Sequence, residues 1–135
     1  QLQVALGQRE RLSIFGSDYP TPDGTCVRDY VHVLDLADAH ERALQRLSPG
    51  DCVEVNLGSG QGTSVLEIVE QAREITGHPI PADLAERRPG DPPRLIANNH
   101  RARMELAWEP THSDLETILS SAWDWHRNHP HGYAQ

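Results

Sequence analysis

The stretch Thr21–His40, TPDGTCVRDYVHVLDLADAH, organises the reading of this chain. Pro20, Pro22, Asp23 and Gly24 make a turn-rich loop, because proline fixes φ and glycine accepts φ > 0. Arg28–Leu34 follows, where Val31 and Val33 alternate with Tyr30 and His32, which predicts a short strand or extended segment. Asp35 then reads as the N-cap of a helix running to about Leu47, with Leu36, Ala39, Ala43, Leu44 and Leu47 on one face. Arg28 stands where the loop meets ordered structure. A guanidinium fixed there can grip a phosphate or carboxylate through two parallel hydrogen bonds. The alternative is a structural arginine paired with Asp29 or Asp35, and the local residues alone favour it.

Working outward, Gln1–Gly7 reads as the tail of a helix closed by Gly7, and Leu12–Phe15 as a short strand ending at Gly16. The absence of an initiator Met, with that helix tail, points to a truncated chain. Cys52–Leu57 predicts a strand, followed at once by Gly58-Ser59-Gly60-Gln61-Gly62-Thr63. Ser64 and Glu67 form a capping box for the next helix, which Gly77 ends. Strand, glycine loop and helix have the layout of a dinucleotide fingerprint. However, Thr63 stands where G-x-G-x-x-G needs its last glycine, and no acidic residue closes a following strand. The loop therefore reads as a tight turn.

Pro79–Ala85 suits an irregular strand. Arg87-Arg88-Pro89-Gly90-Asp91-Pro92-Pro93 is a stiff loop whose paired arginines suit a diphosphate clamp, or else a solvated loop of weak ion pairs. Asn98 can cap a short helix through Leu106. Thr111, Ser113 and Asp114 start the last helix, with Leu115, Ile118, Leu119, Ala122 and Trp125 inward. His126, His129 and His131 lack the spacing and acidic partners of a zinc site and read as surface residues.

The 135 residues make one domain, 1–135, with a net charge of −8. That sign argues against nucleic acid, which needs a basic face, and against an anionic membrane surface. There is no run of about 18 apolar residues to span a bilayer. All 12 basic residues are arginine. Chemistry that needs lysine, including the Tyr-x-x-x-Lys pair of short-chain dehydrogenases, is thus outside this chain. Cys26 and Cys52 have neither metal nor redox spacing, which fits a reducing, cytoplasmic setting.

Four motifs together carry a resemblance: IFGSDYPTPDGTCVRDYVHVLDLADAH (Ile14–His40), VNLGSGQGTSVLEIV (Val55–Val69), RRPGDPP (Arg87–Pro93) and WDWHRNHPHGY (Trp123–Tyr133). In order and spacing they resemble the UDP-glucose 4-epimerases of the extended short-chain dehydrogenase/reductase superfamily. The resemblance implies an α/β fold: the C-terminal, nucleotide-sugar-binding lobe of an extended Rossmann-type enzyme. The N-terminal domain, which in that family binds NAD and carries the catalytic tyrosine and lysine, is absent. Tyr30 is followed by Leu34 rather than Lys, so it is not that tyrosine.

By resemblance, the partner is a UDP-sugar, with Arg28 and Arg88 on the diphosphate and Asp91 on the ribose hydroxyls. Ser13, Ile14 and Phe15 would meet the uracil, partly through backbone groups. Tyr30 and Val65 would line the pocket, and Leu95 would stand where the family sets room for the sugar. NAD and the catalytic residues would belong to the missing half of a parent enzyme that interconverts UDP-glucose and UDP-galactose. Such parents tend to be homodimers through helices of that half. This chain alone would be inactive and would expose apolar surface meant for the rest. Two other functions compete: a related nucleotide-sugar dehydratase or decarboxylase, and a non-catalytic UDP-sugar-binding module.

Overall fold

The computed structural model describes residues 1–133. Among the described residues, two small sheets and five helices alternate along the chain. After the single turn α1 (Leu2–Ala5), strand β1 (Leu12–Phe15) pairs in parallel with β4 (Ala82–Ala85), from Leu12 opposite Ala82 to Phe15 opposite Ala85. A second sheet has the order β3 (Thr63–Ser64), β2 (Val27–Arg28), β5 (Arg94–Leu95). There β2 is antiparallel to β3 and parallel to β5, which sets Arg28 between Thr63 and Leu95.

Helix α3 (Val65–Thr76) forms as its sequence predicts. The Ser64 hydroxyl accepts from the Glu67 N–H, the Glu67 carboxylate accepts from the Ser64 N–H, and Gly77 closes the helix at φ +70. Helix α5 (Leu115–Asn128) starts on Asp114, whose side chain accepts from the Thr117 N–H at 2.8 Å. The two helices pack around Val4, Ala5, Ile68, Ala72, Ile80, Leu119 and Trp123. Trp123, absent from the predicted inward face, is buried there. Trp125 instead lies half-buried and stacks on His129 at 5.0 Å. Of the three terminal histidines, His129 and His131 are exposed, whereas His126 is half-buried.

A second core joins Ala39 of α2 (Val33–Arg46) to Ala102 and Leu106 of α4 (His100–Leu106) and to Trp108. Here the sequence reading needs correction at several points. Strand β2 ends at Arg28, and α2 begins two residues before the predicted cap. The cap is His32, whose Nδ1 accepts from the Leu34 N–H. With Nδ1 accepting, the Nε2 proton is free to be donated to the Ser121 hydroxyl at 2.8 Å. Asp35 lies inside the first turn, buried, and accepts from the N–H groups of Thr111 and His112 and from the Ser113 hydroxyl. A short acidic side chain in a first turn suits either role, and the partner loop 111–113 decides it.

Helix α2 turns only part of the predicted face inward. Asp35 and Ala39 are buried and Ala43 is packed, while Leu44 is 82 % exposed. Cys52–Leu57 forms no ladder among the described residues, although Val55 and Leu57 pack on the second core. Helix α4 is capped one residue beyond the predicted position. Its N-cap is Asn99, which spends its side chain on the Gly58 carbonyl at 2.7 Å, while Asn98 accepts from the His100 N–H. Among the described residues no helix is long and apolar enough to cross a membrane. Val33, Leu84, Leu95, Met104 and Tyr133 are more than half exposed.

Candidate functional site

The candidate site lies where the two sheets meet loop 86–93. From β1, Ile14 turns its side chain into the interior and is buried, which leaves only its backbone for a ligand. Ser13 and Phe15 face outward by the alternation of the strand. The Arg88 guanidinium lies over the Phe15 ring, 3.8 Å from its centre. Arg87 lies over Tyr19 at 4.1 Å and pairs with the Asp18 carboxylate at 2.6 Å. The two adjacent arginines therefore differ. Arg87 is tied down by Asp18, whereas Arg88 is exposed and stacked on an aromatic face.

Arg28 projects from β2 into the same region. One guanidinium nitrogen donates to the Asp91 carboxylate and another to the Val27 carbonyl at 2.7 Å. Its partner is thus Asp91, not Asp29 or Asp35 as the local reading favoured. The other Asp91 oxygen accepts from the Cys26 thiol at 3.8 Å. Leu95, beside Arg28 in register, is 60 % exposed. Val65 opens α3 and hydrogen-bonds the Cys26 carbonyl through its N–H, at 3.0 Å.

Tyr30 stands apart. It packs on the core built around Ile68, Leu119 and Trp123 rather than beside Arg88. Burial pushes its phenol above the ordinary range, against the opposing pull of Arg28. The structure thus links Arg28 to Asp91 and Leu95, Asp91 to the Arg88 carbonyl, and Arg88 to the Phe15 ring of β1. Tyr19 was not singled out in the sequence, and Cys26 only for its lack of metal or redox spacing. One signal pointed to Cys26: residues two apart on a strand share a face, so Cys26 and Arg28 point the same way.

The glycine loop does a different job from a phosphate cradle. The Asp29 carboxylate accepts from the N–H of Ser59 at 2.8 Å, of Gly60 at 3.0 Å and of Ala97 at 3.1 Å. A side chain of the chain itself already fills the anion position. A Cβ on Gly58 would come within 2.5 Å of that carboxylate, so glycine is needed for the close approach. These residues do not fit the pyrophosphate of a dinucleotide.

Residues 2–121 match the model of the GDP-mannose 4,6 dehydratase family. The chain belongs to this family. Its relatives include the UDP-glucose 4-epimerase of Halalkalibacterium halodurans, 56 % identical over 98 % of this chain and 40 % of the relative. That of Corynebacterium glutamicum is 57 % identical over 90 % of this chain and 37 % of the relative. A crystal structure of a UDP-glucose 4-epimerase superposes with a TM-score of 0.92 at 52 % identity, covering 99 % of this chain and 41 % of that one. The Bifidobacterium longum enzyme, solved in complex with NAD+ and UDP, gives 0.91 at 37 % identity, covering 98 % of this chain and 39 % of that one. The chain thus spans about 40 % of the length of the curated relatives it matches. The resemblance read from the four motifs stands, and so does the α/β lobe of an extended Rossmann-type fold.

Proposed function

We propose that this chain is the nucleotide-sugar-binding part, residues 1–135, of an enzyme that interconverts UDP-glucose and UDP-galactose by NAD-dependent epimerisation at C4. The observation that carries the reading is the cationic edge itself. In a chain of net charge −8, Arg28 pairs with Asp91, and Arg88, whose carbonyl accepts from the Asp91 N–H, lies over the Phe15 ring. A dianionic diphosphate needs a few local guanidinium groups of this kind, because the overall field repels it. The names of the relatives and the UDP bound to the Bifidobacterium longum enzyme support the same choice of ligand.

In this reading Arg28 and Arg88 take the diphosphate, and Asp91 accepts from the ribose hydroxyls. The outward side chains of Ser13 and Phe15, with the Ile14 backbone, meet the uracil. Val65, bonded to the Cys26 carbonyl, backs the pocket, Tyr30 stays in the core around Ile68, and Leu95 stands at the sugar end. NAD supplies the hydride chemistry of the parent enzyme and is held by residues outside this chain. The Gly58–Gly60 loop is filled by Asp29, and there is no lysine to pair with a catalytic tyrosine. What this chain contributes is grip and orientation of the substrate, not a proton or hydride step.

Calorimetric titration with UDP tests the grip, and incubation with UDP-glucose and NAD tests the division of labour. The expected result is UDP binding with no UDP-galactose formed. Robust epimerisation by the 135-residue chain would overturn the division. Absence of UDP binding would overturn the site.

A further inference from the structure

Asp91 is held from two sides. Its Oδ1 faces Arg28 and its Oδ2 faces the Cys26 thiol. Cys26 is 4 % exposed and carries a free thiol. Behind it the Tyr19 hydroxyl is buried with no hydrogen-bond partner, in a residue that is 5 % exposed. A buried hydroxyl left unpaired costs free energy, so its place against the thiol and carboxylate calls for a reason. Burial, with Cys26 and Asp91 adjacent, pushes that phenol up, and Arg87 opposes the shift. The proton therefore stays on the oxygen, where it can be donated towards the thiol. Arg87, stacked on the Tyr19 ring and paired with Asp18, roofs the group over.

We propose that Cys26, backed by Tyr19, is a positioning residue for the Asp91 carboxylate. Its thiol keeps one oxygen in place while a nucleotide diphosphate draws Arg28 away from the other. The inference rests on the nucleotide-sugar reading of the site. With no ligand, Arg28 and Asp91 neutralise each other. When a nucleotide binds, Arg28 turns to the diphosphate and Asp91 Oδ1 is released to the ribose hydroxyls. A carboxylate that loses the cation it is paired with, on a loop rich in proline and glycine, would swing freely. The thiol contact supplies the second anchor, and only one oxygen need change partners.

Two measurements on the full 135-residue chain test this. The first is the infrared S–H stretch of Cys26 in a Cys52→Ser background, which needs no ligand. Asp91→Asn is expected to move the band to higher frequency, because an amide oxygen accepts less strongly than a carboxylate. An unmoved band overturns the proposal. The second is UDP affinity. Cys26→Ala is expected to weaken binding about fivefold, the scale of one modest hydrogen bond. Cys26→Ser, which keeps a donor of similar size, should restore it to within about twofold. In an Asp91→Asn background, Cys26→Ala should cost nothing further. A loss that persists there, or that serine does not repair, marks a packing role and overturns the proposal. So does full affinity in Cys26→Ala. If the band moves but the unaltered chain does not bind UDP, the nucleotide reading has failed, and the positioning role fails with it.

Discussion

The Asp29 carboxylate accepts both the backbone N–H and the hydroxyl of Ser59, at 2.8 and 2.6 Å. Its second oxygen takes the N–H groups of Gly60 and Ala97. One side chain therefore ties the end of β2 to the glycine turn and to the segment after β5. Replacing Asp29 with Ala leaves the part-buried N–H groups of Ser59 and Ala97, and the exposed one of Gly60, without this acceptor. Urea denaturation is expected to show a loss of about 2–4 kcal/mol. Gly58→Ala should be destabilising as well, because the added methyl meets Asp29 and Ala97. A change below about 0.5 kcal/mol in either variant would contradict this account.

Acid should loosen the clasp around Asp35. Burial alone would raise its pKa, but hydrogen bonds from Ser113, His112 and Thr111 outweigh that and hold it at about 2, against an ordinary 3.8. The folded value is the lower one. The group therefore contributes full stability above 3.8 and loses it as pH falls towards about 2. The contribution at neutral pH is about 2 kcal/mol. Stability of the unaltered chain minus that of Asp35→Asn, followed from pH 7 downwards, should shrink over that interval. A constant difference would refute it.

Trp108 is fully buried, and its indole N–H donates to the Asp35 carbonyl at 2.8 Å. Trp108→Phe should cost about 2–3 kcal/mol through the lost bond and the void, and Trp108→Ala about 3–5 kcal/mol. Chemical denaturation of both variants checks the order.

Ala107 ends α4 in the left-handed region, at φ 49. Ala107→Gly removes the clash between Cβ and the following carbonyl. It should stabilise the chain by about 0.5–1 kcal/mol, after part of the relief is offset by the greater freedom of glycine when unfolded. A lower melting temperature in Ala107→Gly would go against the prediction.

For ligand binding, Arg28→Ala and Arg88→Ala should each weaken UDP by about 1.5–3 kcal/mol, the range of a charged hydrogen bond. Arg87→Ala should weaken it less, since Asp18 already engages that side chain. Calorimetry on the three variants gives the ranking, and unchanged affinity in both Arg28→Ala and Arg88→Ala would refute the clamp.

What was legible in the sequence was what the chain decides locally. Ser64, Glu67 and Gly77 mark the two ends of α3 because a capping box and a left-handed glycine involve only neighbours. Asp114 is legible for the same reason. Asp35 has all the features of an N-cap and is not one, because its partners lie on a loop 76 residues further on. Leu44 matches the helical period but faces solvent, since Ala39 and Ala43 set the face that meets α4. Cys52–Leu57 has strand composition, yet a strand exists only where another pairs with it. The candidate site divides in the same way. Arg28 and Arg88 could be picked out by residue type and loop setting, whereas the pairing of Arg28 with Asp91, and the thiol behind it, depend on the meeting of distant segments.

The parallel pairing of β1 with β4 carries a kinetic consequence. Arg28 meets Asp91 across 63 residues, and Arg11 meets Asp83 beside the β1–β4 ladder across 72. Closing loops of that length has an entropic cost that local helix formation does not share. Helix α3 can form its caps early in refolding, while the cationic edge waits for β4 and β5 to find their places. Stopped-flow refolding should therefore show far-ultraviolet helix signal ahead of UDP-binding competence, and a newly made chain would have its scaffold for a time before it has its grip.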